Sequence, residues 1–266
     1  MAGEILAFTL LGDGNWVAYV GDPYPTGPGR RVIWNDMLTF PSRQTPAPVK
    51  CIFPYLTPHD GSSFLLVDTR MGNQPNASLM NILGQVLLTF AAGDGIEQAL
   101  CSQDAFVCTY FDEGVYGGLD PSQAGVAVFS KGGNFLTGWH SRFGWQDVSI
   151  SDCYCACFDP SGRLLFSPYT EFPLVRWDLK ANTRQIWQLP ESLQCCHALS
   201  ATDTHTYFWG PHGYDVENTM FGFELRTGEV SVVGELAPLA HRQPLSDGRF
   251  LTWDQEQYLV VDPTRP

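Results

Sequence analysis

Apolar residues run along this chain in short stretches, each cut off by a polar turn, and the turns recur at a near-constant interval. Turns at Asp13-Gly14, Asp60-Gly61, Gln103-Asp104, Ser161-Gly162, Asp203-Thr204 and Asp247-Gly248 lie 42 to 58 residues apart. A run rich in aromatic and β-branched residues follows each one, at residues 16–20, 64–67, 105–110, 163–166, 205–209 and 250–253. A second set of turns, near residues 84, 132, 182 and 228, repeats in steps of 46 to 50 and again separates two short apolar runs. Gly- or Asn-bearing turns between β-rich runs read as hairpins. Two hairpins in a period of about 40 to 50 residues make four strands, the content of one β-propeller blade. The pattern predicts an all-β fold, a β-propeller of four-stranded blades in a single domain over residues 1–266. Six blades are expected and five are the alternative.

The same pattern sorts the strands. Clean alternation in Glu229-Val230-Ser231-Val232-Val233 predicts one wet face, and the continuous Val86-Leu87-Leu88 predicts burial on both faces. Helix signals are nearly absent, and residues 120–125, the best candidate, read as loop. After Asp247-Gly248 only residues 249–254 and 257–262 remain as strands, so the last unit lacks an outer strand. The apolar run at residues 5–11 is a candidate to supply it and close the open edge. Residues 12–50, with six prolines, must then make the rest of the first blade.

Charge changes the functional picture more than it changes the fold. Only 16% of the 266 residues are charged, and the net charge is −13. Phosphate backbones are bound by clustered Lys and Arg, so nucleic acid is excluded as an expected partner. An acidic surface suits solubility, a basic protein or a cationic ligand. The start of the chain, Met1-Ala2-Gly3-Glu4, lacks the basic region of a signal peptide. No apolar stretch approaches the roughly 20 residues of a membrane span. With eight cysteines, this predicts a cytoplasmic monomer with free thiols and no disulfide framework. The Asn76-Ala77-Ser78 sequon is then a coincidence.

Candidate chemistry is sparse. The densest polar cluster is Tyr110-Phe111-Asp112-Glu113-Gly114-Val115-Tyr116-Gly117-Gly118, read as a loop leaving a strand, with Asp112 and Glu113 placed to hold a cation or amine. Turn capping by Asp112 and solvation of Glu113 form the competing reading. Cys153, Cys155 and Cys157 alternate on one strand and so share a face. Their spacing of roughly 6.6 Å does not make a zinc site unaided, and buried apolar packing is the expected role. Cys195-Cys196-His197 is a second cysteine cluster; neighbours on a strand face apart, and zinc shared between the two segments stays an open alternative. No P-loop, Rossmann fingerprint or nucleophile elbow appears. Trp177-Asp178 and Trp253-Asp254 occur at different places in their units, without the G-H pair of WD40 repeats.

Residues 110–118, 167–174 and 209–214 fall at the same place in successive units, between the second and third strands. Equivalent loops of a propeller gather on one face, and aromatic, polar-tipped loops make recognition surfaces. The candidate binding residues are therefore Tyr110, Asp112, Glu113, Tyr116, Asp152, Tyr154, Tyr169, Glu171, Trp209 and His212; no residue is assigned a catalytic or metal-binding role.

Three strings carry a resemblance: Thr109-Tyr110-Phe111-Asp112-Glu113-Gly114-Val115-Tyr116-Gly117, Asp152-Cys153-Tyr154, and Tyr169-Thr170-Glu171-Phe172-Pro173-Leu174-Val175. With them the chain resembles a family of uncharacterised bacterial propeller-like proteins, best over residues 50–180. The resemblance implies a bacterial, cytosolic propeller and carries no known activity. Two functions follow as expectations. The first is a non-enzymatic binding propeller without cofactor, recognising a basic protein partner, with an immunity-type inhibitor as one form. The alternative is a metal-dependent lactonase-like enzyme, with a divalent ion such as calcium in the channel on Asp112, Glu113, Asp152 and Glu171. Against that, the expected Glu followed by Gly-Pro near the first strand is missing, since Glu4 precedes Ile5.

Overall fold

In the computed structural model the described residues are 3–12, 14–21, 31–36, 39–46, 50–71, 74–210 and 217–265. The chain divides into two compact units, Met1–Gly144 and Trp145–Pro266. Each unit contains three antiparallel sheets, and each sheet is one propeller blade.

In the first unit, blade one contains β1 (Glu4–Gly12), β2 (Asn15–Gly21), β3 (Arg31–Asp36) and β4 (Thr39–Pro46). Blade two contains β5 (Pro54–Asp60), β6 (Ser63–Asp68), β7 (Ala77–Asn81) and β8 (Val86–Phe90). Blade three contains β9 (Ile96–Cys101), β10 (Ala105–Tyr110), β11 (Val126–Ser130) and β12 (Phe135–Gly138). In the second unit, blade four contains β13 (Asp152–Phe158), β14 (Leu164–Tyr169), β15 (Leu174–Asp178) and β16 (Thr183–Trp187). Blade five contains β17 (Ala198–Ala201), β18 (His205–Trp209), β19 (Thr219–Glu224) and β20 (Val230–Glu235). Blade six contains β21 (His241–Pro244), β22 (Phe250–Trp253) and β23 (Tyr258–Val261). Strands pair with their chain neighbours throughout, so every blade is a meander. The blade count is six.

Both families of turns fall where the periodicity puts them. The first closes the hairpin between first and second strands, and the second closes the hairpin between third and fourth. Gly162 at φ 76° and Gly84 at φ 78° take the left-handed backbone that such tight turns demand. Asp13 of the first turn lies outside the described residues.

The inner strands carry the core. Within each unit the first strands of successive blades pack together, β1 on β5 and β5 on β9, then β13 on β17 and β17 on β21. Second strands are buried over most or all of their length: Leu65, Phe106, Leu165 and Phe208 all sit inside. The fourth strands β8, β12, β16 and β20 are wet. Val86 and Leu87 of β8 are exposed rather than buried on both faces, and Val232 of β20 is exposed as well. The reason is position, because an outermost strand has a neighbouring strand on one side only.

Three further expectations are corrected. The first concerns residues 5–11: they lie in β1, pair with β2 and belong to blade one, so they do not complete blade six. Among the described residues that blade has three strands. The second is the loop at residues 110–118, which contains a helical turn, α1 (Asp112–Val115), and a second short helix, α2 (Trp139–Phe143), follows β12. The third is the shared face of the three cysteines. Register slips by one residue between Asp152 and Cys155, so Cys153 falls out of step with Cys155 and Cys157.

Two sequence features gain a physical role. Trp177 and Trp253 are buried at strand ends, and the aspartates after them accept turn N–H groups: Asp178 from Lys180 (3.0 Å) and Ala181 (2.8 Å), Asp254 from Glu256 (2.8 Å) and Gln257 (2.9 Å). The Asn76 side chain is buried and fully occupied, donating to the carbonyls of Asp68 (2.8 Å) and Gly93 (2.7 Å) and accepting from Ala92 N–H (2.8 Å). It ties blade two to the link that starts blade three, which leaves no amide for a glycan.

Candidate functional site

The first unit builds an exposed aromatic and charged patch on rigid supports. Asp68, buried at the end of β6, accepts the backbone N–H groups of Ile52 (2.6 Å) and Phe53 (3.2 Å). This fixes the segment entering β5 and leaves Ile52 and Phe53 facing solvent, Phe53 at 51% exposure. On the neighbouring blade, Tyr110 is enclosed and its hydroxyl donates to the Ala92 carbonyl at 2.5 Å. Burial, with Cys108 nearby, pushes the Tyr110 phenol well above its usual pKa, so it stays a neutral donor. Gly95 and Gly114 lie backbone against backbone, where a Cβ on either would overlap the other segment. Phe111 N–H donates to the Gly95 carbonyl at 3.0 Å, and Ser122 Oγ accepts from Asp94 N–H at 2.8 Å. The connection between β10 and β11 is thus fastened to the segment entering β9.

From that base α1 projects Glu113 and Tyr116 outward. Arg70, just past β6, meets Glu113 at 2.5 Å and places its guanidinium over the rings of Phe111 (4.5 Å) and Phe53 (5.7 Å). Both charged side chains remain open to water, Arg70 at 45% and Glu113 at 66%. Tyr116 is 63% exposed. Asp112 is exposed and its Oδ1 accepts Glu113 N–H at 2.7 Å. Of the residues expected here, Asp112, Glu113 and Tyr116 are at the surface, whereas Tyr110 is an internal anchor.

The second unit brings another group together by register. Asp152 pairs with Tyr169 across β13 and β14. The Tyr154 hydroxyl donates to Asp152 Oδ2 at 3.1 Å, and Tyr169 is exposed with its ring edge-on to Phe172 at 5.5 Å. Glu171 is exposed in the same connection. Trp209 is different. It is fully buried, donates Nε1–H to the Leu236 carbonyl at 3.1 Å and packs edge-on against Phe250 at 5.5 Å. It is a core residue and not part of a surface. His212, with residues 211–216, lies outside the described residues.

Among the described residues, no three His, Cys, Asp or Glu side chains come together in a way that could hold a metal ion. The two cysteine segments do meet, as a thiol pair: Cys155 Sγ and Cys196 Sγ are 3.2 Å apart. No described helix is long and apolar enough to cross a membrane.

Sequence reasoning missed Phe53, Arg70 and Phe111. A faint cue existed in Ile52-Phe53 before Pro54, two large apolar residues in a link. The Arg70 partnership had no cue, because its carboxylate is 43 residues away and reaches it only through blade stacking.

No protein-family profile matches the chain, and none of the curated proteins compared with it matches. Solved structures do resemble it. Virginiamycin B lyase from Staphylococcus aureus superposes with a TM-score of 0.55 at 10% identity, over 95% of this chain and 78% of that one. Hsv2 of Kluyveromyces lactis gives 0.57 at 9% identity, over 100% and 75%. PorZ, a surface component of the type-IX secretion system of Porphyromonas gingivalis, gives 0.58 at 7% identity, over 98% of this chain and 33% of that one. At such identities the likeness shows the fold alone, a β-propeller.

Proposed function

We propose that this chain is a non-enzymatic binding propeller that recognises a basic protein partner through the patch of Phe53, Arg70, Phe111, Glu113 and Tyr116. The observation that carries the reading is the more than half-exposed ring of Phe53 beside a guanidinium already held by Glu113 and Phe111, with Tyr116, also more than half exposed, closing the helical turn that carries Glu113. Large exposed aromatics and arginine are the residue types that dominate binding energy at interfaces. Their supports are hydrogen-bonded and backbone-packed, so little ordering remains to be lost on association. The net charge of −13, with Asp112 exposed next to Glu113, favours a partner of opposite charge and speeds its encounter. An immunity-type inhibitor that covers a basic toxin is one role that such a surface suits.

Co-purification from the native host tests the reading. Tagged wild-type protein is expected to retain one basic protein in stoichiometric amount, and the double variant Phe53→Ala/Tyr116→Ala is expected to lose it with an unchanged melting temperature. A wild-type protein that retains no stoichiometric partner, or a double variant that retains it fully, contradicts the proposal.

A further inference from the structure

Five of the eight cysteines, Cys153, Cys155, Cys157, Cys195 and Cys196, lie in the second unit, in the two segments that begin blades four and five. Cys155 is on β13, Cys196 lies two residues before β17, and these first strands pack together. Both thiols are buried in the apolar layer between the blades, among Leu165, Leu193, Leu199 and Phe208. Their sulfurs are 3.2 Å apart, and a disulfide bond is about 2.05 Å. Closing by about 1 Å is within side-chain torsional adjustment. Cys195 next to them is half-exposed and holds φ 55°, a left-handed backbone that a non-glycine residue adopts only at a cost. That turn separates the environments of two adjacent cysteines, one buried and one reachable from solvent.

We propose that Cys155 and Cys196 form a reversible disulfide that staples blade four to blade five, with Cys195 as the thiol that first receives the oxidant. The oxidant is a low-molecular-weight disulfide of the glutathione class. The Cys195 thiolate attacks one sulfur of it, forming a mixed disulfide and releasing one thiol. Cys155 attacks the Cys195 sulfur, releases the second thiol and forms a Cys155–Cys195 bond. Cys196 then attacks the Cys155 sulfur and returns Cys195 to a thiol. Two protein S–H groups and one oxidant disulfide become one protein disulfide and two small thiols; the protein is oxidised by two electrons and the oxidant is reduced. Direct attack by Cys196 on the oxidant is disfavoured because its thiol is buried away from solvent; in the reduced protein its hydrogen bond with Cys155, and then burial, also raise its pKa well above the usual value. Cys195 is raised less severely, by partial burial and the proximity of Cys155.

Incubation of the full chain with oxidised glutathione, alkylation of the remaining thiols and peptide mapping without reduction test this directly. The expected product has a Cys155–Cys196 linkage, lacks two hydrogens and reverts with dithiothreitol. Its melting temperature rises by roughly 5 °C or more, because the closed loop is long. Cys155→Ala is expected to abolish both the linkage and the rise. Cys195→Ser is expected to slow formation by roughly tenfold while leaving the final product unchanged. Full alkylation of all eight cysteines after oxidation, a different linkage such as Cys101–Cys108, or a linkage without a thermal rise overturns the proposal. An unchanged rate in Cys195→Ser overturns its part in the route. If Cys155→Ala does not fold, the wild-type peptide map decides the matter alone.

Discussion

Each unit contains a cluster of an arginine, an aromatic ring and a glutamate, and the two clusters differ in burial. In the first unit Arg70 lies 4.5 Å over Phe111 and 2.5 Å from Glu113, in the open. In the second, Arg242 on β21 lies 5.8 Å from the Trp209 ring and 3.6 Å from Glu217, with its own side chain only 13% exposed. In both, the ring and the acid come from one blade, the ring at or just past the end of the second strand and the acid in the connection to the third, and the arginine from a neighbouring blade. Around Arg70 water screens the charges, so the pair adds little stability and the aromatic surface stays available. Around Arg242 the Nη1 atom is buried with no hydrogen-bond partner among the described residues, and burial pulls the guanidinium below its usual pKa. One arrangement of residue types thus presents a surface in one place and fills an interior in the other. Burial decides which.

That contrast can be broken at several points. Removing the buried ring is expected to cost most: Trp209→Ala should destabilise the protein by about 3 to 5 kcal/mol in urea unfolding. Gly210→Ala comes next. Gly210 has φ 70°, and a Cβ there would overlap Arg242 Nη1, so a loss of about 1 to 3 kcal/mol is expected from backbone strain alone. Arg242→Met replaces a poorly satisfied guanidinium with an apolar chain of similar length; a change within about 1 kcal/mol, of either sign, is expected. A large loss would mean that the Glu217 contact matters more than its 71% exposure suggests.

Acid should weaken both units. His241, adjacent to Arg242 and stacked on Trp253 at 3.9 Å, is exposed at its edge, and partial desolvation lowers its pKa from 6.5. The unfolded chain therefore takes up this proton before the folded one as pH falls. The contribution of His241 is complete above pH 6.5 and declines as pH drops toward the folded value. His140 in the first unit, at 2.9 Å from the Gln123 carbonyl, is shifted the same way by burial. Melting temperatures between about pH 7.5 and 5.5 should fall on acidification, and His241→Gln should flatten part of that slope. The smallest effect is at the open cluster: Arg70→Ala should cost less than about 1 kcal/mol, and less still in high salt.

The blades were legible from the sequence because hairpin turns need particular residues at fixed places. Asp60-Gly61, Gly84, Ser161-Gly162 and Gly228 announce their turns locally, and the buried second strands between them are continuous apolar runs. Burial of the outer strands was not legible. Val86-Leu87-Leu88 reads like a core strand and is exposed, since its surroundings depend on blade position and not on its own composition. The candidate site was half legible for the same reason. Glu113 and Tyr116 could be found from the repeat register, whereas Tyr110 and Trp209 share their composition and sit in the core. Arg70 and Phe53 became visible only when blade two was stacked on blade three. The Cys155–Cys196 pair likewise needed β13 to be set against β17.

Under the proposed function, the exposed patch of the first unit is the surface that meets a partner. A photo-crosslinking residue placed singly at position 53, at 116 and, as a control, at exposed Ile186 on β16, tests it in the native host. The account predicts one covalent adduct, with the same basic protein, from positions 53 and 116 and none from position 186. No adduct from either patch position, or equal adducts from all three, would contradict it.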